Sequence, residues 1–265
     1  MSSIDGPLYA EQRGSAGPPM VFVHPNPFDR GCWTYQTAHF STWFRTLAID
    51  LPGYGRSPRA GAGLTMSEVA RACWSAADRV DDEPAILVGL SVGSTVVQFM
   101  AAMEPERTRA AILTGGGYFA TRDLSHRVRQ HEEHGLTGRR AYALEMFGPH
   151  FRESALAAYF ADMLVEREPW ADATTIAHLF RALERPLPDG LLASIRTPTL
   201  IVTGTEDPGH RLQFELQRRI TGAELRAIEG AGHICNIEQP WEYDSLVLDF
   251  LRRRGLMPPA AEDGR

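Results

Sequence analysis

The chain has 265 residues, of which 43% are apolar and 23% are charged, with a formal net charge of −6. This length suits one globular core with room for an inserted subdomain. The acidic balance and the mixing of both charge signs argue against nucleic-acid binding. No apolar run approaches the roughly 18 residues that a membrane-spanning helix needs, so we expect no membrane association.

The cysteines indicate the compartment. Cys32, Cys73 and Cys235 are far apart and odd in number, which argues against a disulfide framework and favours a reducing environment. The first ten residues lack the basic start and apolar run of a signal peptide. We therefore expect a cytoplasmic monomer or homodimer that acts on a small molecule. No Cys-x-x-Cys occurs and no Cys/His cluster has zinc spacing, so we expect neither a metal nor a cofactor.

Short apolar runs rich in β-branched residues alternate with helical patterns along the chain. Continuous apolarity is typical of strands that are buried on both faces of a parallel sheet. The predicted strands are 20–24, 46–52, 85–91, 110–116, 199–204 and, more weakly, 224–230. The clearest predicted helices are 66–80, 92–103 and 236–254. This alternation predicts an α/β fold with a doubly wound, mostly parallel sheet of seven or eight strands.

The alternation breaks between Tyr118 and Gly190, where the sequence is helical. Apolar residues recur there at positions i, i+3, i+4 and i+7, as in Ile176, Leu179, Phe180 and Leu183. We predict a helical lid at residues 118–190, inserted into a core made of residues 1–117 and 191–265. The alternative is that these helices only extend the outer helical layer.

Gly89-Leu90-Ser91-Val92-Gly93 is a Gly-x-Ser-x-Gly motif. It lies where a predicted strand ends and a predicted helix begins, which is the context this motif requires. A serine on such a turn presents its hydroxyl at the carboxyl end of the sheet, and the helix N-terminus favours developing negative charge. We predict that Ser91 is a catalytic nucleophile. The alternative is that Ser91 only caps the helix.

A serine nucleophile needs a base, and the base needs an orienting carboxylate. Asp207 follows predicted strand 199–204, at the sheet edge where such folds place their sites, and Glu206 beside it is the alternative. His233 follows the last predicted strand in a run of small residues. The order Ser, Asp, His is the one that this type of sheet uses. We therefore predict Asp207 and His233 as the other members of a catalytic triad.

Several motifs in this order resemble those of the α/β-hydrolase superfamily, in particular its lidded serine esterase and haloperoxidase-like branch. The resemblance covers nearly the whole chain outside the lid. Residues 24–27, His-Pro-Asn-Pro, are similar to the family's His-Gly loop, and residues 50–57 are similar to its Asp-x-Pro-Gly-x-Gly-x-Ser turn. We interpret His24 as structural or as part of the oxyanion loop, and Asp50 as a structural residue of its turn. The resemblance implies an oxyanion hole made by the backbone N–H groups of Asn26 and Val92.

The sequence departs from the family pattern at two places. Pro25 stands where glycine is usual, and because proline lacks an N–H and fixes φ, we expect the loop to differ locally, with a cis peptide at Pro25 or Pro27. Only seven residues precede Leu8, so the family's first strand is expected to be short or missing.

The resemblance implies a serine hydrolase that cleaves a carboxylic ester, a lactone or a related acyl bond through an acyl-enzyme. Ser91 excludes the haloalkane dehalogenases and epoxide hydrolases of the superfamily, which need an aspartate nucleophile. Three alternatives remain: a carbon–carbon bond hydrolase acting on a β-diketone or dienone-like substrate, a lyase or acyltransferase with the same triad, and a ligand-binding receptor on the same fold.

We expect the substrate pocket between the sheet and the lid, because ligands favour such concave junctions. The predicted wall residues are mostly aromatic, which favours a small apolar substrate, although aromatic residues at helical spacing also form the core of a lid. These residues are Pro25, Trp33, Tyr118, Phe119, Phe147 and Trp170, with Tyr142 and Phe151 as further lid aromatics.

Overall fold

The computed structural model describes residues 3–80, 82–116 and 123–258. Within them, seven strands form one sheet in the order β1-β3-β2-β4-β5-β6-β7. β1 is antiparallel to β3, and all other neighbours are parallel. The strands are β1 (Ala10–Arg13), β2 (Pro19–Val23), β3 (Arg45–Ile49), β4 (Ala85–Leu90), β5 (Thr108–Thr114), β6 (Thr199–Gly204) and β7 (Glu224–Ile228). The predicted doubly wound, mostly parallel sheet is therefore confirmed.

Helices join the strands and cover both faces of the sheet. They are α1 (Thr34–Phe40), α2 (Met66–Asp78), α3 (Val92–Met103), α4 (Ser125–His134), α5 (Arg139–Glu145), α6 (Pro149–Arg152), α7 (Ala155–Glu166), α8 (Ala173–Glu184), α9 (Leu191–Ser194), α10 (His210–Arg219), α11 (Cys235–Glu238) and α12 (Pro240–Arg253). Short 3₁₀ turns lie at Arg30–Trp33, Pro105–Arg107 and Glu168–Trp170. No helix in the described part of the chain is long and apolar enough to cross a bilayer.

Two of the predicted helices end close to where the sequence indicates, and the third is divided. α2 begins at Met66 because Thr65 and Glu68 form a reciprocal capping box. The prediction of one continuous helix over 236–254 is wrong, because Pro240 starts α12 as a separate helix after α11. Proline has no N–H to continue the ladder of the preceding helix, but it is well suited to the first turn of a new one.

Burial separates the centre of the sheet from its edges. β2, β4 and β6 are buried along their whole length, as continuous apolarity predicts for central parallel strands. β1 has no fully buried residue, and most of β7 is likewise partly or fully exposed. The first strand is therefore short, at four residues, rather than missing.

The helices between β5 and β6 share the core of the sheet. α4 packs on α8, and their Val128 and Ile176 join the apolar cluster on the side of α2 and α3. α5 packs on α7, and their Ala143 and Phe160 join the cluster on the opposite side, with α1 and α12. Each of these helix pairs thus shares an apolar cluster with one side of the sheet, and the lid at residues 118–190 stays a prediction.

Candidate active site

Ser91 lies on a strained turn between β4 and α3. Its backbone has φ 55° and ψ −115°, and it is the one non-glycine residue with positive φ in the described part of the chain. Its N–H donates to the carbonyl of Thr114 at 2.8 Å, which ties the turn to β5. A Cβ at Gly89 would collide with the backbone of Gly93, and a Cβ at Gly93 with that of Val23. The two motif glycines therefore let the strand and helix meet closely enough to hold the serine in this conformation.

The structure brings His233 and Asp207 together. The Nδ1 atom of His233 lies 2.9 Å from Oδ2 of Asp207, and Oδ1 of Asp207 accepts the N–H of Gly209 at 2.7 Å. Asp207 is buried, whereas Glu206 is exposed. Asp207, and not the alternative Glu206, is thus the carboxylate that contacts the imidazole.

The electrostatic surroundings keep Asp207 ionised. Burial raises the pKa of Asp207, but the electrostatic interaction and hydrogen bond with His233 and the N–H of Gly209 outweigh burial and hold this pKa below its usual value. An ionised carboxylate accepts the Nδ1–H of the imidazole, which leaves Nε2 with a lone pair for a proton.

The loop that carries His233 is fixed by α5 and the turn after it. The N–H of His233 donates to the carbonyl of Met146 at 2.8 Å. The carboxylate of Glu238 accepts the N–H of Gly148 at 2.9 Å and that of Gly232 at 3.0 Å. Burial raises the pKa of Glu238, although these two N–H groups lower it. One side chain thus bridges the turn and the histidine loop.

His24 holds the loop after β2 against the turn after β3. Its Nε2 accepts the N–H of Leu51 at 2.9 Å, so Nδ1 carries the proton and donates to the carbonyl of Pro25 at 2.9 Å. Burial lowers the pKa of His24 and favours this neutral form. The cis peptide of this loop is Asn26–Pro27, one of the two expected positions. Asp50 accepts backbone N–H groups of Arg30 and Arg56, as a turn-forming residue does.

Within the described part of the chain, neither of the two predicted oxyanion donors has a protein acceptor. Val92 is the first residue of α3, and Asn26 is buried in the loop after β2. Neither backbone N–H has an acceptor among the residues that the structure describes. The side-chain Oδ1 of Asn26 accepts the hydroxyl of Tyr54 at 2.5 Å, which fixes this residue in place. Both N–H groups are therefore free to bind a substrate oxygen.

Ser91, Asp207 and His233 open into one cleft of about 420 Å³, which suits a small molecule. α4 and α5 form one wall of this cleft and the residues around α10 form another. The other lining residues are Gly115, Arg127, Tyr142, Glu145, Met146, Pro208, Gly209 and Leu212.

Four residues of the predicted pocket wall, Pro25, Trp33, Phe147 and Trp170, do not line this cleft. Trp33 is fully buried against Phe22, and Phe147 is buried against Phe28. Trp170 is 61% exposed. The buried Pro25 does not line the cleft either, and Tyr118 and Phe119 lie outside the described residues. The large aromatic residues mostly serve the packing of helices on the sheet, where their apolar area is removed from water.

Sequence reasoning missed the charged part of the wall. Arg127 and Glu145 lie on helices whose polar residues are typical of a solvated face, and no pattern in the sequence shows that this face turns toward the cleft. Tyr142, one of the further lid aromatics, does line the cleft. The wall is therefore more polar than the predicted aromatic set suggests.

Comparison with known proteins agrees with this geometry. A family model described as "Alpha/beta hydrolase family" matches residues 20–243. Carboxylesterase YbfK of Bacillus subtilis is 25% identical over 243 residues, which cover 88% of this chain and 80% of that protein. 3-Oxoadipate enol-lactonase 2 of Acinetobacter baylyi is 25% identical over 244 residues, which cover 89% of each.

The solved structures give the same fold. The crystal structure of the enol-lactonase from Burkholderia xenovorans matches with a TM-score of 0.85 and 23% identity, over 94% of this chain and 98% of that one. The family model covers most of the chain, and the resemblance found in the sequence is confirmed. The chain therefore belongs to the alpha/beta hydrolase family and is a hydrolase.

Proposed function

We propose that the chain cleaves a carboxylic ester or lactone of a small substrate through an acyl-enzyme on Ser91. The observation that carries this proposal is the 2.9 Å hydrogen bond between His233 and Asp207 in a cleft that Ser91 also lines. A nucleophile, a base and an orienting carboxylate in one concave site are the groups that acyl transfer requires.

In the proposed reaction, Oγ of Ser91 attacks the carbonyl carbon while Nε2 of His233 takes the hydroxyl proton. Asp207 stabilises the resulting imidazolium through Nδ1. The carbonyl oxygen becomes an oxyanion that accepts hydrogen bonds from the N–H groups of Val92 and Asn26, and loss of one such donor typically costs about 10²–10³ in rate. The imidazolium protonates the leaving alkoxide, and water then hydrolyses the acyl-enzyme by the same steps in reverse order.

The similarity to a carboxylesterase and to an enol-lactonase supports an ester or lactone as the bond that is cleaved. Both named activities use an acyl bond to oxygen, which matches the chemistry of the cleft. The polar wall formed by Arg127, Tyr142 and Glu145 supports a substrate that carries polar groups.

Ser91→Ala tests the proposal. We expect the unmodified protein to hydrolyse short 4-nitrophenyl esters or lactones and to be labelled at Ser91 by a fluorophosphonate probe. The variant should lose both properties, with a fall in kcat of about 10⁶-fold as the nucleophile disappears. Near-normal turnover by a folded Ser91→Ala protein would contradict the proposal. If the unmodified protein binds esters but neither hydrolyses them nor is labelled by the probe, a ligand-binding receptor is favoured instead.

A further inference from the structure

Among the described residues, the guanidinium of Arg127 has no carboxylate partner. Arg127 lines the cleft together with Ser91 and His233. Its side chain contacts the ring of Tyr142, and the described residues place no carboxylate within ion-pair distance of it. By contrast, Arg140 forms an ion pair with Asp162 at 2.6 Å on the outside of the same group of helices. Arg127 is thus a cation that the described part of the protein leaves available to a ligand.

Tyr142 orients this cation. The guanidinium carbon of Arg127 lies 3.7 Å from the centroid of the Tyr142 ring, which also lines the cleft. Contact through a face of the guanidinium leaves its N–H groups free along the edge, where two parallel hydrogen bonds fit a carboxylate. Because the ring already restricts the side chain, less rotamer entropy is lost when an anion binds.

The rest of the wall limits how much negative charge the cleft accepts. Met146 and Leu212 supply apolar surface that strengthens a charged contact by excluding water. Glu145 also lines the cleft and would repel a second anionic group. The cleft therefore fits a substrate with one carboxylate beside Arg127 and an acyl carbon beside Ser91.

We propose that Arg127 and Tyr142 form a carboxylate-binding subsite, so that the preferred substrate is an ester or lactone bearing one additional carboxylate. This proposal rests on the proposed function of the same cleft. It differs from the small apolar substrate that the sequence favours, because a charged group and not an aromatic wall selects the substrate.

The test compares two esters of equal acyl length, mono-4-nitrophenyl glutarate and 4-nitrophenyl pentanoate, which differ by a terminal carboxylate. We expect the unmodified protein to have the higher kcat/KM for the glutarate ester. Arg127→Gln should lower the ratio of the two kcat/KM values by about 10–100-fold, the range for a hydrogen bond to a charged group. Arg127→Lys should retain part of the preference for the glutarate ester, because lysine keeps the positive charge but lacks the paired N–H groups of the guanidinium.

Arg129→Gln is the matched control. Arg129 lies on the same helix, is exposed and does not line the cleft, so its loss should leave the ratio unchanged. Glu145→Gln should raise kcat/KM for the glutarate ester, since it removes a like charge from the wall.

An unchanged ratio in Arg127→Gln would overturn the subsite while leaving ester hydrolysis intact. If neither ester is hydrolysed, the proposed function fails, and binding of glutarate measured by calorimetry still decides the subsite. Glutarate should bind the unmodified protein and lose most of its affinity in Arg127→Gln. Equal binding by the two proteins would overturn the proposal.

Discussion

Two histidine–aspartate pairs in this protein share one contact and differ in nearly everything around it. In the cleft, Nδ1 of His233 lies 2.9 Å from Asp207, and outside it Nδ1 of His39 lies 2.7 Å from Asp244. Both carboxylates are buried and both imidazoles are partly exposed. The hydrogen bond alone therefore does not identify a catalytic pair.

The neighbours of each imidazole make the difference. His233 shares its cleft with Ser91. His39 instead packs against Trp43 and Trp241, with ring centroids 5.4 and 6.4 Å away. A general base needs a nucleophile whose proton its free nitrogen can take, and the tryptophan rings that pack against His39 carry no nucleophilic hydroxyl or thiol.

The second oxygen of each aspartate also differs. Oδ1 of Asp207 accepts a backbone N–H, that of Gly209, whereas Oδ1 of Asp244 accepts the side-chain amide of Gln36 at 3.1 Å. The pKa of Asp207 is lowered because its partners outweigh burial, but burial raises the pKa of Asp244 in spite of its partners. The surroundings of the first pair stabilise an ionised Asp207 carboxylate, whereas the second pair joins α1 to α12.

Exchanging each aspartate for asparagine should give the largest contrast. Asp207→Asn presents an amide to Nδ1 and stabilises the wrong tautomer, so kcat should fall by about 10⁴-fold. Asp244→Asn should leave kcat nearly unchanged and lower Tm by several degrees, since a disrupted buried hydrogen bond costs about 1–3 kcal/mol. Ester hydrolysis and thermal unfolding of both variants check this. An equal loss of kcat in Asp244→Asn would end the distinction between the pairs.

Crowding the imidazole of His233 should give the next largest effect. A Cβ at Gly115 would lie 2.7 Å from Cε1 of His233, so Gly115→Ala should displace the ring and lower kcat by roughly 10²-fold. Gly135→Ala is the control, because Gly135 has the same φ of +59° but open space around its Cβ. Both variants carry the same kind of backbone strain, so steady-state kinetics separates displacement of the imidazole from strain. Equal kcat values in the two variants would show that the contact between the added Cβ and the imidazole has no effect on turnover.

The smallest effect lies in the pH dependence of stability. Asp207, with its lowered pKa, contributes stability above the ordinary aspartate pKa and loses it as pH falls through the lowered value. Asp244, with its raised pKa, contributes stability below the ordinary value and loses it as pH rises through the raised one.

Urea unfolding of the unmodified protein and the two asparagine variants, at a series of acidic pH values, measures this dependence. The free energy of unfolding of the unmodified protein, minus that of Asp207→Asn, should grow as pH rises. The same difference for Asp244→Asn should shrink. Slopes of the same sign would contradict the opposite net pKa shifts of the two aspartates.

The features predictable from sequence are those that depend on neighbours along the chain. The apolar runs at β2, β4 and β6 mark the centre of the sheet, and the motif around Ser91 needs only the strand before it and the helix after it. The sequence predicts β7 more weakly, because an edge strand with exposed positions has no continuous apolar pattern. β1 is too short and too exposed to stand out at all.

The cleft wall could not be predicted because it depends on how helices pack. The sequence shows that Trp33 and Trp170 are large and aromatic, but not that one lies in the core and the other in solvent. It shows Arg127 as one charged residue among many on a polar helix, although this residue lines the cleft. Such choices are made by contacts between distant segments, which a periodic pattern does not record.

The bridge formed by Glu238 sets a boundary for exchanging modules. An added Cβ at Gly232 would collide with the backbone of Phe147 and Gly148, so the histidine loop and the turn after α5 interlock. A chimera that replaced the helices between β5 and β6 with those of another hydrolase would have to retain this turn. It would need a glycine at position 148, and at position 146 a backbone carbonyl that can accept the N–H of His233. The graft is better confined to the segments on either side, where new substrate walls can be introduced without loosening the loop that carries His233.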